Sequence, residues 1–250
     1  MRIAFVGKGG AGKSALAGTL CRVLARRGHR VLALDADSVP GLALSIGIAT
    51  SDDWMLSTAA EREEGKGWVL RISPEEAVER FARRGPDGIR FLQFGKPTAT
   101  VTREQQSSMG AFLQIMTDLG GDGWTVVTDL AAGTRQSYMG WAGAAERMLT
   151  VVEPSAKAIM TARRLGRVGE MIPGVRLLGI ANKVTAPLER RTITEGLKKA
   201  GIPLWAEIPN DPVFAAAARV GRAPYDLDPQ APAIRKLVEI ADRLTAEAHA

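Results

Sequence analysis

Short apolar runs recur along the chain and set its predicted architecture. They occupy residues 3–6, 31–34, 124–128, 148–152, 177–181 and 204–208. Near-continuous apolar runs of this length are typical of strands buried on both faces of a parallel sheet. Helical patterns separate them, so we predict a three-layer α/β fold with a doubly wound, mostly parallel sheet flanked by helices. In such a sheet, ligands bind at the carboxyl ends of the strands.

The pattern of polar and apolar positions predicts two helices. Residues 14–27 place their apolar side chains on one stripe, and Gly28 is expected to end that helix. Ser73 is a predicted N-cap, followed by Pro74 at the first helical position and by Glu76 three residues after the cap.

Residues 47–110 are less regular than the rest of the chain. They include a Glu/Arg/Gly cluster at 61–66 and a Gly/Pro break at 85–88, whereas residues 89–94 have the pattern of a strand. We interpret this region as an insertion that faces a partner, within a single domain that spans residues 1–250.

Composition restricts the compartment and the possible metal sites. The chain has 250 residues, of which 46% are hydrophobic, enough for one α/β domain. Its single cysteine, Cys21, cannot form an internal disulfide framework or an all-cysteine metal site within one subunit. We find no signal peptide before the first strand and no apolar run that could span a membrane. We therefore expect a soluble cytoplasmic protein without a membrane partner.

The net charge of +6 raises the question of an anionic partner. Pairs of basic residues recur along the chain, mostly on predicted helices with acidic residues interspersed. Solvated helix faces are therefore the favoured interpretation, and a nucleic-acid surface is the alternative.

A glycine-rich loop follows the first predicted strand. Its residues are Gly7-Lys8-Gly9-Gly10-Ala11-Gly12-Lys13-Ser14. The pattern Gly-x4-Gly-Lys-Ser between a strand and a helix predicts a phosphate loop whose backbone N–H groups surround the phosphates of a nucleotide. Lys13 would contact the β- and γ-phosphates, and the Ser14 hydroxyl would bind Mg²⁺.

A second lysine in this loop, Lys8, cannot easily share the phosphates that Lys13 already holds. One interpretation is that it reaches across a dimer interface to the nucleotide of a second copy, as an arginine finger does. The alternative is a solvated lysine that favours the approach of anions.

The chain resembles a known group of ATPases. The stretch Lys8-Gly9-Gly10-x-Gly12-Lys13-Ser14 resembles the loop of the MinD/ParA (SIMIBI) deviant Walker ATPases. Segments 35–37, 40–43, 73–96 and 129–133 resemble the CooC-type branch, which contains the nickel-insertion ATPases of carbon monoxide dehydrogenase maturation. The resemblance covers nearly the whole chain. It implies a P-loop fold, magnesium-dependent ATP hydrolysis, an ATP-gated homodimer and a client protein.

The resemblance also implies two switch segments. Asp37 follows the second predicted strand, close to Asp35, and corresponds to the switch I aspartate, which would stand near Mg²⁺ and position the attacking water. A helix N-cap is the alternative role for Asp37. Asp129 ends a strand as a Walker B aspartate does and would hold Mg²⁺. Gly133 would free its N–H for the γ-phosphate and act as the pivot of switch II.

A structural transition from strand to loop is the alternative role for Asp129. The residues predicted to bind Mg²⁺ are Ser14, Asp37 and Asp129. The predicted catalytic residues are Lys8, Lys13 and Asp37. Hydrolysis is expected to be slow or stimulated by a partner.

The base is predicted to lie between two loops. Asn182 ends a strand as the base-reading asparagine of this superfamily does, and Thr185 stands where a guanine-binding aspartate is usual, so adenine is predicted. Pro209 and Asn210 belong to a second loop, which would pack on the ring. A turn without a ligand role is the alternative for each segment.

One feature of the CooC-type branch is missing. These ATPases carry a Cys-x-Cys metal motif, whereas residues 102–110 here offer no thiolate or imidazole. We expect Cys21 to be a buried structural thiol and His29 and His249 to be solvated. The favoured function is therefore an ATPase that acts on a client protein, as in enzyme or cofactor maturation. The alternative is a ParA/MinD-like positioning or partition ATPase that binds DNA or a surface in its ATP state. A nitrogenase reductase-like electron donor is excluded, because it needs more cysteines.

Overall fold

The computed structural model describes residues 1–37, 41–51, 56–65, 67–95, 102–120, 123–138, 140–172 and 174–248. Pro40, Lys66, Lys96 and His249 lie outside these ranges, as do residues 52–55 and 97–101 of the predicted insertion.

The strands and helices alternate along the chain. The strands are β1 (Arg2–Gly7), β2 (Arg30–Asp35), β3 (Ala60–Glu63), β4 (Gly67–Leu70), β5 (Arg83–Arg84), β6 (Arg90–Gln93), β7 (Trp124–Asp129), β8 (Arg147–Val152), β9 (Arg176–Val184) and β10 (Leu204–Pro209). The α-helices are α1 (Lys13–Arg26), α2 (Leu42–Ile46), α3 (Pro74–Phe81), α4 (Arg103–Asp118), α5 (Arg135–Tyr138), α6 (Ala156–Met171), α7 (Pro187–Lys199), α8 (Pro212–Val220), α9 (Pro224–Leu227) and α10 (Pro232–Ala248). Single 3₁₀ turns lie at Pro86–Gly88 and Trp141–Ala144. Within the described ranges, no helix combines the length and the apolar character needed to cross a membrane.

The main sheet has eight strands in the spatial order β10-β9-β8-β1-β7-β2-β6-β5. Its strands pair in parallel, except that β5 runs antiparallel to β6 at one edge. This arrangement confirms the predicted doubly wound α/β fold. Because β1 lies between β7 and β8, the loop after β1 opens in the interior of the carboxyl edge of the sheet.

Helices cover both faces of the main sheet. One apolar core contains residues of α4, α6 and α7, and the other contains residues of α1, α2 and α10. Every residue of β7 and β8 is buried. Burial on both faces explains why these strands appear in the sequence as near-continuous apolar runs.

Residues 47–110 contribute to the main sheet and to a separate hairpin. Strand β6 pairs with β2 in the main sheet, which agrees with the strand predicted at 89–94. The cluster at 61–66 was expected to be irregular, but residues 61–63 belong to β3, which pairs with β4 in a separate antiparallel hairpin. The predicted helix start is confirmed, since the Ser73 hydroxyl accepts the backbone N–H of Glu76 at 3.1 Å.

A buried arginine ties α1 to three other parts of the chain. The side chain of Arg22 is 4% exposed. Its guanidinium donates to Asp87 Oδ2 at 2.6 Å, to Asp226 Oδ1 at 2.7 Å and to the Ile46 carbonyl at 2.8 Å. Arg26, one turn further along α1, reaches Asp87 only at 3.7 Å and is 52% exposed. The two arginines therefore form a matched pair, one buried and one solvated.

We expect Arg22→Met to lower the free energy of unfolding by about 2 kcal/mol, because it leaves two carboxylates and a carbonyl without their buried partner. The loss is smaller than for a fully buried pair, since both aspartates remain partly exposed. Arg26→Met is the control and should change stability by less than about 0.5 kcal/mol. Urea unfolding measures both variants. Equal effects would show that the network around Arg22 adds nothing beyond a surface ion pair.

Candidate nucleotide site

The phosphate loop connects β1 to α1. Gly7, Gly10 and Gly12 have φ angles of 148°, 81° and 102°. At Gly12 a Cβ atom would lie 2.5 Å from Nδ2 of Asn182, so a larger residue is excluded there by space as well as by backbone conformation. Helix α1 starts at Lys13 without a side-chain cap and without an acidic residue in its first turn. Its N-terminal N–H groups are therefore suited to an anion.

Asp129 ends β7 next to this loop and is almost fully buried. The side chain is 1% exposed. Among the described residues, neither carboxylate oxygen has a partner with hydrogen-bond geometry. Burial raises the pKa of Asp129 to about 6, while the Lys13 ammonium and the nearby Ser14 hydroxyl oppose the rise. A buried carboxylate with free oxygens beside a hydroxyl is a donor set that suits Mg²⁺.

Asp35 lies opposite Asp129 in the register of β2 and β7. Burial, followed by the negative charge of Asp129, raises the pKa of Asp35 to about 8. The Asp35 carboxylate accepts the backbone N–H of Leu42 at 3.0 Å and that of Asp37 at 3.1 Å. It therefore holds the backbone at Asp37 and at Leu42, the two ends of the predicted switch I segment.

Asp37 is only half-buried, and its charge contributes to the raised pKa of Asp129, so the two carboxylates are near each other. Helix α2 begins at Leu42, and its N-cap position, Gly41, makes no side-chain cap. The alternative role of Asp37 as the N-cap of that helix is therefore wrong. Its roles in water positioning and at Mg²⁺ stay predictions.

Switch II is held against the phosphate loop. The Gly133 N–H donates to the Gly7 carbonyl at 3.0 Å, in an isolated antiparallel bridge. The N–H predicted to meet the γ-phosphate is thus bonded to the Gly7 carbonyl. Gln136, in α5, accepts the Ala131 N–H and donates to the Ala36 carbonyl, both at 2.7 Å. The sequence contained no signal for this glutamine beyond its place after the switch glycine.

Lys8 is half-buried and is bonded within its own chain. Its ammonium donates to Glu153 Oε1 at 2.8 Å and to the Gly9 carbonyl at 2.8 Å. The other oxygen of Glu153 accepts from Lys183 at 3.1 Å, and Lys183 also donates to the Gly10 carbonyl. Although burial alone would raise it, hydrogen bonds from the two lysines hold the pKa of Glu153 below its ordinary value.

The predicted base residues share one cavity. Asn182, Pro209 and Asn210 line a space of about 260 Å³ beside Gly12, together with the ring of Phe214. The Asn182 amide donates to the Ala11 carbonyl at 2.7 Å, so it also braces the phosphate loop. The Phe214 ring and the closeness of the phosphate loop make this cavity suitable for an aromatic base.

The remaining candidates lie away from the site. Cys21 is fully buried within α1, as predicted. His29 was expected to be solvated, but it is half-buried, with its ring nitrogens 3.4 Å from Thr125 Oγ1 and 3.2 Å from Thr245 Oγ1. Residues far apart in sequence meet there, which the local sequence could not indicate.

These features define a class of protein, the P-loop nucleotide-binding domains, in which a glycine-rich loop and two switch segments meet at the carboxyl edge of a parallel sheet. Residues 3–225 match the family described as CbiA, the CobQ/CobB/MinD/ParA nucleotide binding domain. The chain belongs to this family.

Individual proteins agree with this assignment. The chain is 28% identical over 245 residues to the carbon monoxide dehydrogenase accessory protein CooC of Rhodospirillum rubrum, covering 92% of this chain and 91% of the relative. Its structure resembles a ParA family ATPase from Chlorobium tepidum TLS, with a TM-score of 0.74, 18% identity and coverage of 96% and 97% of the two chains. It also resembles the septum site-determining protein MinD of Pyrococcus horikoshii OT3 in complex with Mg-ADP, with a TM-score of 0.74, 19% identity and coverage of 98% and 96%. The predicted resemblance to MinD/ParA ATPases near CooC is confirmed.

We expect Cys21 to be chemically inert in the folded protein. Burial raises the pKa of its thiol far above the ordinary value, and the thiolate is the reactive form. Ellman's reagent should leave the native protein unlabelled and should react with one thiol per chain in denaturant. Rapid labelling of the native protein would contradict the burial of Cys21 and reopen the question of a thiolate ligand.

Proposed function

We propose that the chain binds ATP with Mg²⁺ and hydrolyses it, and that ATP closes two copies into a homodimer that acts on a client protein. The observation that carries this proposal is the buried Asp129 carboxylate, whose oxygens have no hydrogen-bond partner among the described residues, beside Lys13 and Ser14. A charge so placed is costly unless a cation joins it. The family assignment supports a nucleotide as the ligand that brings this cation.

Each group at the site has a defined task in this proposal. The loop N–H groups and Lys13 bind the phosphates, and Ser14 and Asp129 hold Mg²⁺, which neutralises charge on the phosphates when it is bound. Asp37 orients the water that attacks the γ-phosphate, because phosphoryl transfer depends on placement more than on a strong base.

The base cavity favours adenine over guanine. Guanine requires an acceptor for its N1 and N2 hydrogens. Thr185 occupies the position of the usual aspartate, and its own N–H and hydroxyl both donate to Glu189, at 2.7 and 2.6 Å. The carboxylate of Asp211 is also occupied, since it accepts the N–H groups of Val213 and Ala233, both at 3.0 Å.

Action on a client protein in maturation is supported by the likeness to an accessory protein of carbon monoxide dehydrogenase. The proposed docking face consists of two parts. They are residues 47–110, which contain the β3–β4 hairpin and β6, and switch II. The family's Cys-x-Cys motif is absent from residues 102–110, so nickel delivery through those ligands is not part of the proposal.

A second candidate is a positioning ATPase that binds DNA in its ATP state. The observation that favours it is on α6, where Lys157, Arg163 and Arg167 are exposed and form no ion pair with any described residue. Such a helix face suits a phosphate backbone, and binding would weaken steeply with added salt.

We expect Lys13→Ala to weaken ATP binding by about 100-fold or more, because it removes charge-assisted hydrogen bonds to two phosphates. Isothermal titration calorimetry with Mg-ATP and Mg-ADP measures the loss. Lys199→Ala, on the exposed face of α7, is the control and should bind as the wild type does. Tight binding by Lys13→Ala would refute the phosphate-loop assignment.

We expect Lys8→Ala to bind nucleotide normally but to remain a monomer with a non-hydrolysable ATP analogue, because the proposed contact of Lys8 is with the partner's nucleotide. Light scattering without nucleotide, with ADP and with the analogue measures the mass. Lys157→Ala, on α6, is the control. A normal dimer of Lys8→Ala would remove its role in trans, and a dimer formed by nickel or zinc alone would indicate a metal role instead.

A further inference from the structure

Gln136 joins the two switch segments through its side-chain amide. Its Oε1 accepts the Ala131 N–H of switch II at 2.7 Å, and its Nε2 donates to the Ala36 carbonyl of switch I at 2.7 Å. A backbone N–H can only donate and a carbonyl can only accept, so the two partners fix the orientation of this amide. No hydrophobic residue of the same shape could make both contacts.

The two bonded backbone groups lie next to the predicted catalytic residues. Ala36 stands between Asp35 and Asp37, and its own N–H donates to the Asp129 carbonyl at 2.9 Å. Ala131 follows Asp129 by two residues. A movement of Gln136 therefore acts directly on the backbone that carries Asp37 and on the strand end that carries Asp129.

The same segment is attached to the phosphate loop through Gly133. The Gly133 N–H donates to the Gly7 carbonyl at 3.0 Å, and Gln136 lies three residues further along, in the four-residue helix α5. A phosphate oxygen that takes the Gly133 N–H must break this bond to Gly7. The segment from 131 to 136 is short, so its displacement changes the position of the Gln136 amide as well.

We propose that Gln136 is a positioning residue that couples occupation of the γ-phosphate site to the placement of Asp37. This inference rests on the proposed ATPase function. Binding of the phosphates does not require the amide, since their ligands are the loop and Lys13. Correct orientation of switch I for hydrolysis does require it, because the bond from Gln136 to the Ala36 carbonyl links the residues after Gly133 to the residue before Asp37.

The test separates binding from turnover. Gln136→Met keeps the shape of the side chain and removes both hydrogen bonds, so the Kd for ADP and the KM for ATP should stay within about 2-fold of the wild type while kcat falls about 10-fold. Gln136→Glu retains an acceptor for Ala131 but cannot donate to Ala36 when ionised, so its kcat should fall equally. The control is Gln114→Met, whose Oε1 accepts the Leu70 N–H at 2.8 Å in α4, away from the switches, and it should keep normal kcat and KM.

Hydrogen exchange gives a second measurement, whose result would not change if Gln136 had a purely structural role. In the wild type, a non-hydrolysable ATP analogue should change exchange both in residues 35–37 and in residues 131–136. In Gln136→Met the change should be confined to residues 131–136. Changes in both segments of the variant, or a wild-type kcat for either Gln136 variant, would overturn the coupling. If the wild type itself neither binds nor hydrolyses ATP, the proposed function fails as a whole.

Discussion

The site depends on one electrostatic constraint, the burial of Asp129 at the carboxyl end of β7. The parallel register places Phe5 of β1 and Asp35 of β2 on either side of it. Two carboxylates, Asp35 and Asp129, are thereby taken out of water at the point where the phosphate loop begins. Burial raises the pKa of both carboxyl groups. Buried carboxylates cost free energy, and a protein retains them where a cation or a polar network compensates that cost. Asp35 has such a network in the switch I backbone, whereas Asp129 has only the influence of Lys13 and Ser14.

The backbone around these carboxylates connects the site to the region proposed to meet a client. The Phe94 N–H donates to the Asp35 carbonyl at 2.8 Å, directly after β6. The Phe94 ring packs edge-on against Trp141 at 5.7 Å, and both rings contact Phe112 of α4. Trp141 follows switch II. One aromatic cluster thus joins the end of β6, helix α4 and the residues after switch II. A partner bound to residues 47–110 would therefore contact a region that packs against the end of switch II.

Sequence analysis predicted the parts of this structure that are encoded locally. Strands such as β7 and β8 are buried on both faces and appear as continuous apolar runs, and the phosphate loop has a fixed spacing of glycines and lysine. The β3 strand was missed, because a strand in a small hairpin needs few apolar residues. Glu153 and Gln136 were missed for a different reason. Lys8 is 145 residues from Glu153 and Ala36 is 100 residues from Gln136, and no periodicity in the sequence indicates a pairing between segments so far apart.

The contact between Lys8 and Glu153 bears on how a lysine could serve another subunit. Lys8 is bonded to Glu153 of its own chain, so a role in trans requires that it leave this carboxylate. Lys183 stays bonded to the other oxygen of the same carboxylate, at 3.1 Å, so the departure of Lys8 does not leave a buried charge unpaired. For a partly exposed pair of this kind the loss is about 1 kcal/mol. A triphosphate carries several negative charges in a site with little water and attracts an ammonium more strongly than one carboxylate that is already neutralised. In the proposed dimer, this arrangement would keep Lys8 ordered near the loop and would leave its transfer to a partner's nucleotide favourable.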